Sequence, residues 1–167
     1  MNGRECCRSC KEWLRSAAVI AKWIGDGAVD VESDSKAASM LLRNLAFTID
    51  YTENDHFGVL DRRKPAGRNV LFESQPTGEP VPSVQYGLLS VITTTDSAGK
   101  PRRTVVFSGS GSAGVQAAVE FFCSPIHMRA LRARLSGFPP TYQVVVRCDT
   151  SGPPLMSYDY ATHFVPR

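Results

Sequence analysis

Residues 104–123, TVVFSGSGSAGVQAAVEFFC, decide the fold that the sequence predicts. The stretch begins with an apolar, β-branched run at 104–108, which is typical of a buried strand. A loop of alternating glycine and serine follows at 108–114, and an apolar helical pattern then continues to residue 123. A strand, a small-residue turn and a helix therefore follow one another without a break.

The next residues extend this unit. Ser124 and Pro125 form the usual N-cap and first-turn pair of a second helix, predicted at 125–135. A third apolar run, 142–147, predicts another buried strand. The order strand, helix, helix, strand favours an α/β sandwich whose helices pack on a sheet of mixed direction.

The sequence before and after this unit is rich in strand patterns. Residues 86–95, YGLLSVITTT, are apolar on both faces, as in a strand at the middle of a sheet. Apolar and polar residues alternate at 47–51, and with 56–60 this predicts a β-hairpin. An edge strand is predicted at 69–73 and a last strand at 155–165.

The glycine–serine loop is the candidate ligand site. Its glycines match G-x-G-x-x-G between a strand and a helix, where the backbone can approach a ligand and free N–H groups can hold an anion. Serine hydroxyls suit phosphate or ribose oxygens, so if the loop binds a ligand, that ligand is expected to be nucleotide-like or otherwise anionic and to lie beyond the end of the strand. The predicted binding residues are Ser108, Gly109, Ser110, Gly111, Ser112 and Gly114.

Two alternatives stay open for this loop. The first is a tight strand-to-helix turn in which small residues serve close packing alone. The second is a true dinucleotide site, which needs an acidic residue about 20 residues further on. The next predicted strand ends only at Asp149, so the sequence favours the first alternative over the second.

Part of the chain resembles a known group of domains. The residues that carry the resemblance are AFTIDYTENDHFGVLDR at 46–62, YGLLS at 86–90, TVVFSG at 104–109 and GVQAA at 114–118. Residues 46–165 resemble an uncharacterised bacterial domain of Rossmann-like fold, found at the C-terminus of larger regulatory or effector-like proteins. The resemblance implies a fold and no particular activity.

We therefore predict an α/β fold, a Rossmann-like sandwich with a mixed sheet and an N-terminal helical segment. The helical segment covers 1–45, with helices at 10–24 and 33–45, because apolar residues recur there at helical spacing. The α/β domain covers 46–167.

Other groups of residues give weaker evidence of a functional site. Cys6, Cys7 and Cys10 lack the second close pair of ligands that a structural zinc site needs, so no metal is predicted. A hydrolase triad of Ser108 or Ser110, His163, and Asp149 or Asp159 lacks the G-x-S-x-G elbow. We assign no catalytic residue.

The second predicted helix is basic, and its histidine is ambiguous. Arg129, Arg132 and Arg134 are interpreted as a solvated helix face. His127 is interpreted as a partly exposed surface residue.

Composition narrows the class of protein. The 167 residues carry 19 Lys and Arg against 16 Asp and Glu, a net charge of +3, which argues against a nucleic-acid binder. Five cysteines form no even, spaced framework, which favours a reducing compartment. No run approaches the ~20 apolar residues of a membrane helix and no signal peptide is recognisable, so a cytoplasmic location is predicted.

These observations favour a non-catalytic ligand-sensing or protein-interaction module. Its expected partners are a small anionic ligand at the loop or another protein, and no resident cofactor is predicted. The alternative is an enzyme, a hydrolase or transferase, that acts on a nucleotide or nucleotide-sugar held by the same loop.

Overall fold

The computed structural model describes residues 17–23, 45–53, 56–74, 84–95, 99–151 and 157–166, the first range through its backbone. Eight strands and two helices occupy these ranges. In chain order they are β1 Ala17–Trp23, β2 Phe47–Tyr51, β3 Phe57–Asp61, β4 Val70–Glu73, β5 Val84–Thr95, β6 Pro101–Gly109, α1 Ser112–Cys123, α2 Pro125–Arg134, β7 Tyr142–Asp149 and β8 Ser157–Phe164.

The strands form two sheets. The larger has five strands in the order β1-β6-β5-β7-β8, and the smaller has three in the order β2-β3-β4. Within the described residues β1 and β6 are the parallel pair, and every other strand pair is antiparallel. The predicted hairpin of β2 and β3 is confirmed, and so is the edge position of β4.

The central strand β5 explains how the layers stack. Its alternate side chains point to opposite faces, so Leu89 and Val91 pack under α1 while Tyr86 and Leu88 pack against the three-stranded sheet. Both faces are buried, as the apolar run 86–95 predicts. The result is three layers, with helices, the five-stranded sheet and the three-stranded sheet in that order.

One side chain fastens the smaller sheet to the larger. Gln143 on β7 is fully buried, and its Oε1 accepts a hydrogen bond from the Phe47 backbone N–H at 2.8 Å. Its Nε2 donates to the Phe47 carbonyl and to the Ser90 hydroxyl, both at 3.0 Å. The amide thus pairs with β2 much as a neighbouring strand would.

The two helices follow the sequence prediction closely. The Ser124 side chain accepts a hydrogen bond from the N–H of His127, and Pro125 occupies the first turn of α2. The chain leaves α2 through left-handed residues, Ser136 with φ 53° and Gly137 with φ 117°. Both predicted helices are therefore confirmed, with α2 ending one residue early.

The Rossmann-like sandwich is wrong, because the described sheets are mostly antiparallel and carry helices on one face only. The reason lies in the connections. Residues 96–100 join β5 to β6, and residues 150–156 join β7 to β8. A parallel pair needs a crossover of about a dozen residues or more, so these short links enforce antiparallel pairing.

The N-terminal helical segment is also wrong where the structure describes it. Ala17–Trp23, expected within a helix at 10–24, forms the strand β1, which pairs with β6 from Ala17 opposite Arg103 to Trp23 opposite Gly109. The pairing satisfies the backbone at the edge of β6, and β-branched Val19 and Ile20 favour a strand. The helix predicted at 33–45 lies outside the described residues except for Leu45, and the division of the chain at residue 45 stays a prediction.

Candidate functional site

The glycine–serine loop is shorter and more tightly packed than the sequence suggests. Because β6 ends at Gly109 and α1 begins at Ser112, only Ser110 and Gly111 lie between them. A Cβ atom added to Gly114 would collide with the Tyr86 carbonyl oxygen on β5. A Cβ atom on Gly109 would collide with the backbone of α1. These glycines let the helix and the sheet approach each other.

The inner polar groups of the loop have partners within the protein. Ser110 is buried, and its hydroxyl oxygen accepts hydrogen bonds from the Tyr86 N–H at 2.9 Å and the Ser74 hydroxyl at 2.6 Å. The Gly114 N–H, in the first turn of α1, donates to Oε1 of the buried Gln85 at 3.2 Å. A side-chain amide thus occupies a donor that an anionic ligand would need.

The six predicted binding residues therefore divide into two groups. Gly109, Ser110 and Gly114 are buried, and a Cβ atom on Gly111 would meet the Gln85 amide. Ser108 is half-buried and Ser112 is exposed, so these two keep access to solvent. Ligand binding by the loop stays a prediction, while close packing is the role that the contacts account for.

The structure does not bring the residues of the candidate hydrolase triad together. Ser110 follows β6 and His163 lies on β8, and β5 and β7 stand between those two strands. At ~4.8 Å per strand they are separated by about 14 Å. His163 Nδ1 instead lies 2.6 Å from the Tyr160 hydroxyl, and Asp149 bonds to Ser151 and Arg147.

A cavity of about 340 Å³ lies between the two helices and the edge strand β8. We call it the α2 cavity, because four of its lining residues share one face of that helix at helical spacing. It is lined by Phe121, His127, Ala130, Leu131, Arg134, Asp159 and Tyr160.

His127 forms one wall of the α2 cavity in an unusual setting. Its ring stacks on Phe121 with centroids 4.9 Å apart and contacts the Tyr158 ring at 5.2 Å on β8. Its Nδ1 is enclosed and has no hydrogen-bond partner within the described part of the chain. A buried polar atom without a partner costs about 1–3 kcal/mol, so the position calls for an explanation. The expectation of a partly exposed histidine is confirmed, and the ring lies between two aromatic rings.

Arg134 on α2 and Tyr160 on β8 form another part of the lining. The guanidinium carbon of Arg134 lies 4.5 Å from the centre of the Tyr160 ring, so the cation covers an aromatic face while remaining exposed. Burial raises the pKa of Tyr160, partly offset by the charge of Arg134. Burial also raises the pKa of Tyr158, and Glu120 and Cys123 add to the effect. Both phenols therefore stay protonated at neutral pH.

Two charged residues, Arg134 and Asp159, line the α2 cavity. Asp159 pairs across the sheet with Arg147 and alternates with Tyr158 and Tyr160 along β8. Strand alternation therefore directs its carboxylate to the opposite face of the sheet, away from the tyrosines. Arg134 is the positively charged residue of the described lining, and it lies over the Tyr160 ring.

The sequence carried a signal for this cavity that we did not use. His127, Ala130, Leu131 and Arg134 follow the i, i+3, i+4, i+7 spacing of one helix face. We had interpreted the arginines of that helix only as a solvated surface. Packing of α2 against β8 could not be foreseen, because it depends on strand order.

The described ranges contain no candidate metal site and no helix that could span a membrane. Within them, no group of three or more His, Cys, Asp and Glu side chains is placed to hold a metal ion. Cys6, Cys7 and Cys10 lie outside these ranges. Neither described helix is long and apolar enough to cross a membrane.

Comparison with known proteins finds no match to this chain among family models, curated proteins or solved structures. The resemblance of residues 46–165 to a bacterial domain of regulatory proteins therefore stays a prediction.

Proposed function

We propose that this protein is a non-catalytic binding module whose binding site is the α2 cavity. The observation that carries the proposal is the combination of aromatic walls and one exposed arginine that lies over a tyrosine ring. Such a site can hold a planar apolar group and orient it through a few polar contacts.

The size of the cavity agrees with this role. Its volume of about 340 Å³ falls at the lower end of the range of known small-ligand pockets, roughly 300–1,000 Å³. That volume suits one aromatic ring with its substituents. Phe121 and Leu131 at its base are almost completely buried, so the floor is set by the core of the protein.

The glycine–serine loop supports binding less well. Its inner backbone N–H groups already donate hydrogen bonds to Gln85 and Tyr86, and its glycines lie at close-packed contacts. A nucleotide-like ligand at the loop, and an enzyme that acts on it, remain predictions that the contacts do not favour.

The proposal is tested with a neutral aromatic probe, N-acetylphenylalanine amide, titrated into the ¹⁵N-labelled protein. We expect binding in the millimolar range, since a fragment of this size makes few contacts, with the largest amide shifts at His127, Leu131 and Tyr160. Ala130→Trp fills the mouth of the cavity from an exposed position and is expected to abolish these shifts.

Ala133→Trp is the matched control, because Ala133 is exposed on the same helix but does not line the cavity. It is expected to bind the probe as the unmodified protein does. An absence of shifts, or shifts that persist in Ala130→Trp, would contradict the proposal.

We also infer a cytoplasmic location. Cys148 is a buried thiol within the core cluster, and burial with nearby Asp149 and Glu120 raises its pKa to about 11. An inert, reduced thiol of this kind suits a reducing compartment. Cell fractionation of the native protein tests this inference.

A further inference from the structure

The α2 cavity continues into an exposed apolar strip on the same helix. Ile126 is 71% exposed, although a large aliphatic side chain is usually covered. Ala130 lies one turn further along α2, is also exposed, and lines the mouth of the cavity. Ile126 and Ala130 are therefore neighbours at i, i+4, and together they lead from open surface into the aromatic site.

Arginines flank this strip on both sides. Arg134 lies beside the cavity over the Tyr160 ring. Arg129 follows Ile126 by three residues, and its Nε donates to the Pro125 carbonyl at 3.2 Å, which holds the side chain near the start of the helix. By helical geometry, Arg129 and Arg134 lie about 80° and 60° from the middle of the strip, on opposite sides of it, whereas the third arginine, Arg132, lies about 140° from it.

The charges around the strip are one-sided. The ten residues of α2 include three arginines and no Asp or Glu. Glu120 on α1 lies near Tyr158 and accepts a hydrogen bond from Gln116. Asp159 also lines the cavity, but it lies opposite Arg147 in the sheet, and strand alternation sets its side chain on the other face of β8 from Tyr160. The strip and the cavity mouth thus offer apolar contact between two cations.

We propose that the occupant is a short acidic segment of a partner protein, with an aromatic side chain in the α2 cavity and carboxylates at Arg129 and Arg134. This inference rests on the proposed function, because it needs the cavity to accept a ring. Charge complementarity selects an acidic partner, and the exposed Ile126 adds apolar contact that a free small molecule would not reach.

The geometry also sets the length of the segment. Arg129 and Arg134 are separated by about 7.5 Å along the helix axis and by about 140° around it, which makes about 13 Å on the surface of a helix 10–12 Å across. An extended chain covers about 3.3 Å per residue, so roughly three to five residues span both arginines and the cavity. Two acidic residues on each side of the aromatic residue satisfy this spacing.

Three synthetic peptides test the inference by isothermal titration calorimetry or fluorescence anisotropy. Each carries a central phenylalanine, flanked on both sides by two glutamates, two glutamines or two lysines. We expect the glutamate peptide to bind about tenfold more tightly than the glutamine peptide, and this advantage to shrink at high salt. The lysine peptide is expected to bind most weakly.

Charge reversal on α2 locates the contact. Arg129→Glu combined with Arg134→Glu is expected to remove the advantage of the glutamate peptide. Arg132→Glu changes the helix charge by the same amount per residue but faces away from the strip, so it is expected to change affinity less than about twofold. Equal losses in Arg132→Glu and Arg134→Glu would overturn the inference, since a diffuse field would then explain the preference.

Two further outcomes separate this inference from the proposed function. If N-acetylphenylalanine amide binds the cavity but glutamate flanks add no affinity, the acidic partner is overturned and the binding module stands. If free phenylacetate binds as tightly as the glutamate peptide, the occupant is a small aromatic acid, and the protein partner is overturned. If no aromatic probe binds, the proposed function itself fails.

Discussion

The two faces of the five-stranded sheet are held by different kinds of contact. On one face α1 lies so close to the sheet that the contact is formed by glycines. On the other face buried amides and hydroxyls hold the three-stranded sheet. A Cβ atom on Gly87 would collide with the Gly114 carbonyl and approach the Ala118 Cβ to 2.9 Å. On the opposite face, Gln143 bonds both backbone groups of Phe47.

This difference shows which kind of interaction fixes the position of each layer. The helix layer depends on the absence of side chains at particular positions, so any added atom is harmful. The sheet layer depends on directed hydrogen bonds, so the harm comes from removing a partner. The first contact is sensitive to volume and the second to chemistry.

The largest effect is expected from Gly114→Ala. The new Cβ would meet the backbone of β5, which cannot move without breaking its pairing with β6 and β7, so we expect a loss of about 3 kcal/mol or more. Thermal and urea unfolding measure it. Gly111→Ala is expected to cost less, because its Cβ meets only the end of the Gln85 side chain, and exposed Ser112→Ala is expected to cost a few tenths. Equal stability of all three variants would contradict the close-packed account of this face.

The next largest effect is expected from Gln143→Leu. The substitution leaves the Phe47 N–H and carbonyl buried without their partner, which costs about 3 kcal/mol in the free energy of unfolding. Gln116→Leu is the matched control, because Gln116 is exposed on α1 and bonds only Glu120 by its side-chain amide. If both variants unfold at the same urea concentration, the amide does not hold the smaller sheet.

The smallest of the three effects is expected from Arg63→Ala, and it depends on pH. Arg63 donates from Nε and from its terminal nitrogen, each at 2.8 Å, to the buried carboxylate of Asp61. It also covers the Phe164 ring at 4.8 Å. We expect a loss of about 1–2 kcal/mol at pH 7.

The sign of the pH dependence follows from Asp61. Hydrogen bonds from Arg63 hold its pKa below the ordinary 3.8, so the pair stabilises the folded state above about pH 4 and loses this contribution as the pH falls through the lowered value. The stability difference between Arg63→Ala and the unmodified protein should therefore shrink at pH 3. Exposed Arg68→Ala serves as the control, and a difference that is unchanged at pH 3 would contradict the assignment.

Local patterns in the sequence predicted most of the elements. Residues 86–95 predicted a central strand, and the Ser124–Pro125 pair predicted the start of α2. Both depend on neighbours within a few residues of each other. The strand order and the role of β1 depend instead on pairing between distant segments, which residue periodicity does not encode.

The same distinction applies to the candidate sites. The glycines of the 108–114 loop were predicted to let a ligand approach closely, which stays a prediction, whereas the structure shows β5 in close approach to Gly114. The α2 cavity was missed because Tyr158 and Tyr160 come from a strand that lies some 25 residues after the helix. Nothing in the spacing of Gln85 or Gln143 marks them as partners of backbone groups elsewhere.

The amide of Gln143 also bears on the order in which the chain folds. Its contact with Phe47 joins residues that are 96 positions apart, so a long loop must close before the bond can form. The hairpins and the α1–α2 pair close much shorter loops, so their contacts offset the entropy lost in loop closure early in folding. Docking of the three-stranded sheet therefore adds contacts between distant residues, which raise the contact order of the chain. We expect the whole chain to fold more slowly than its helices and hairpins would fold on their own.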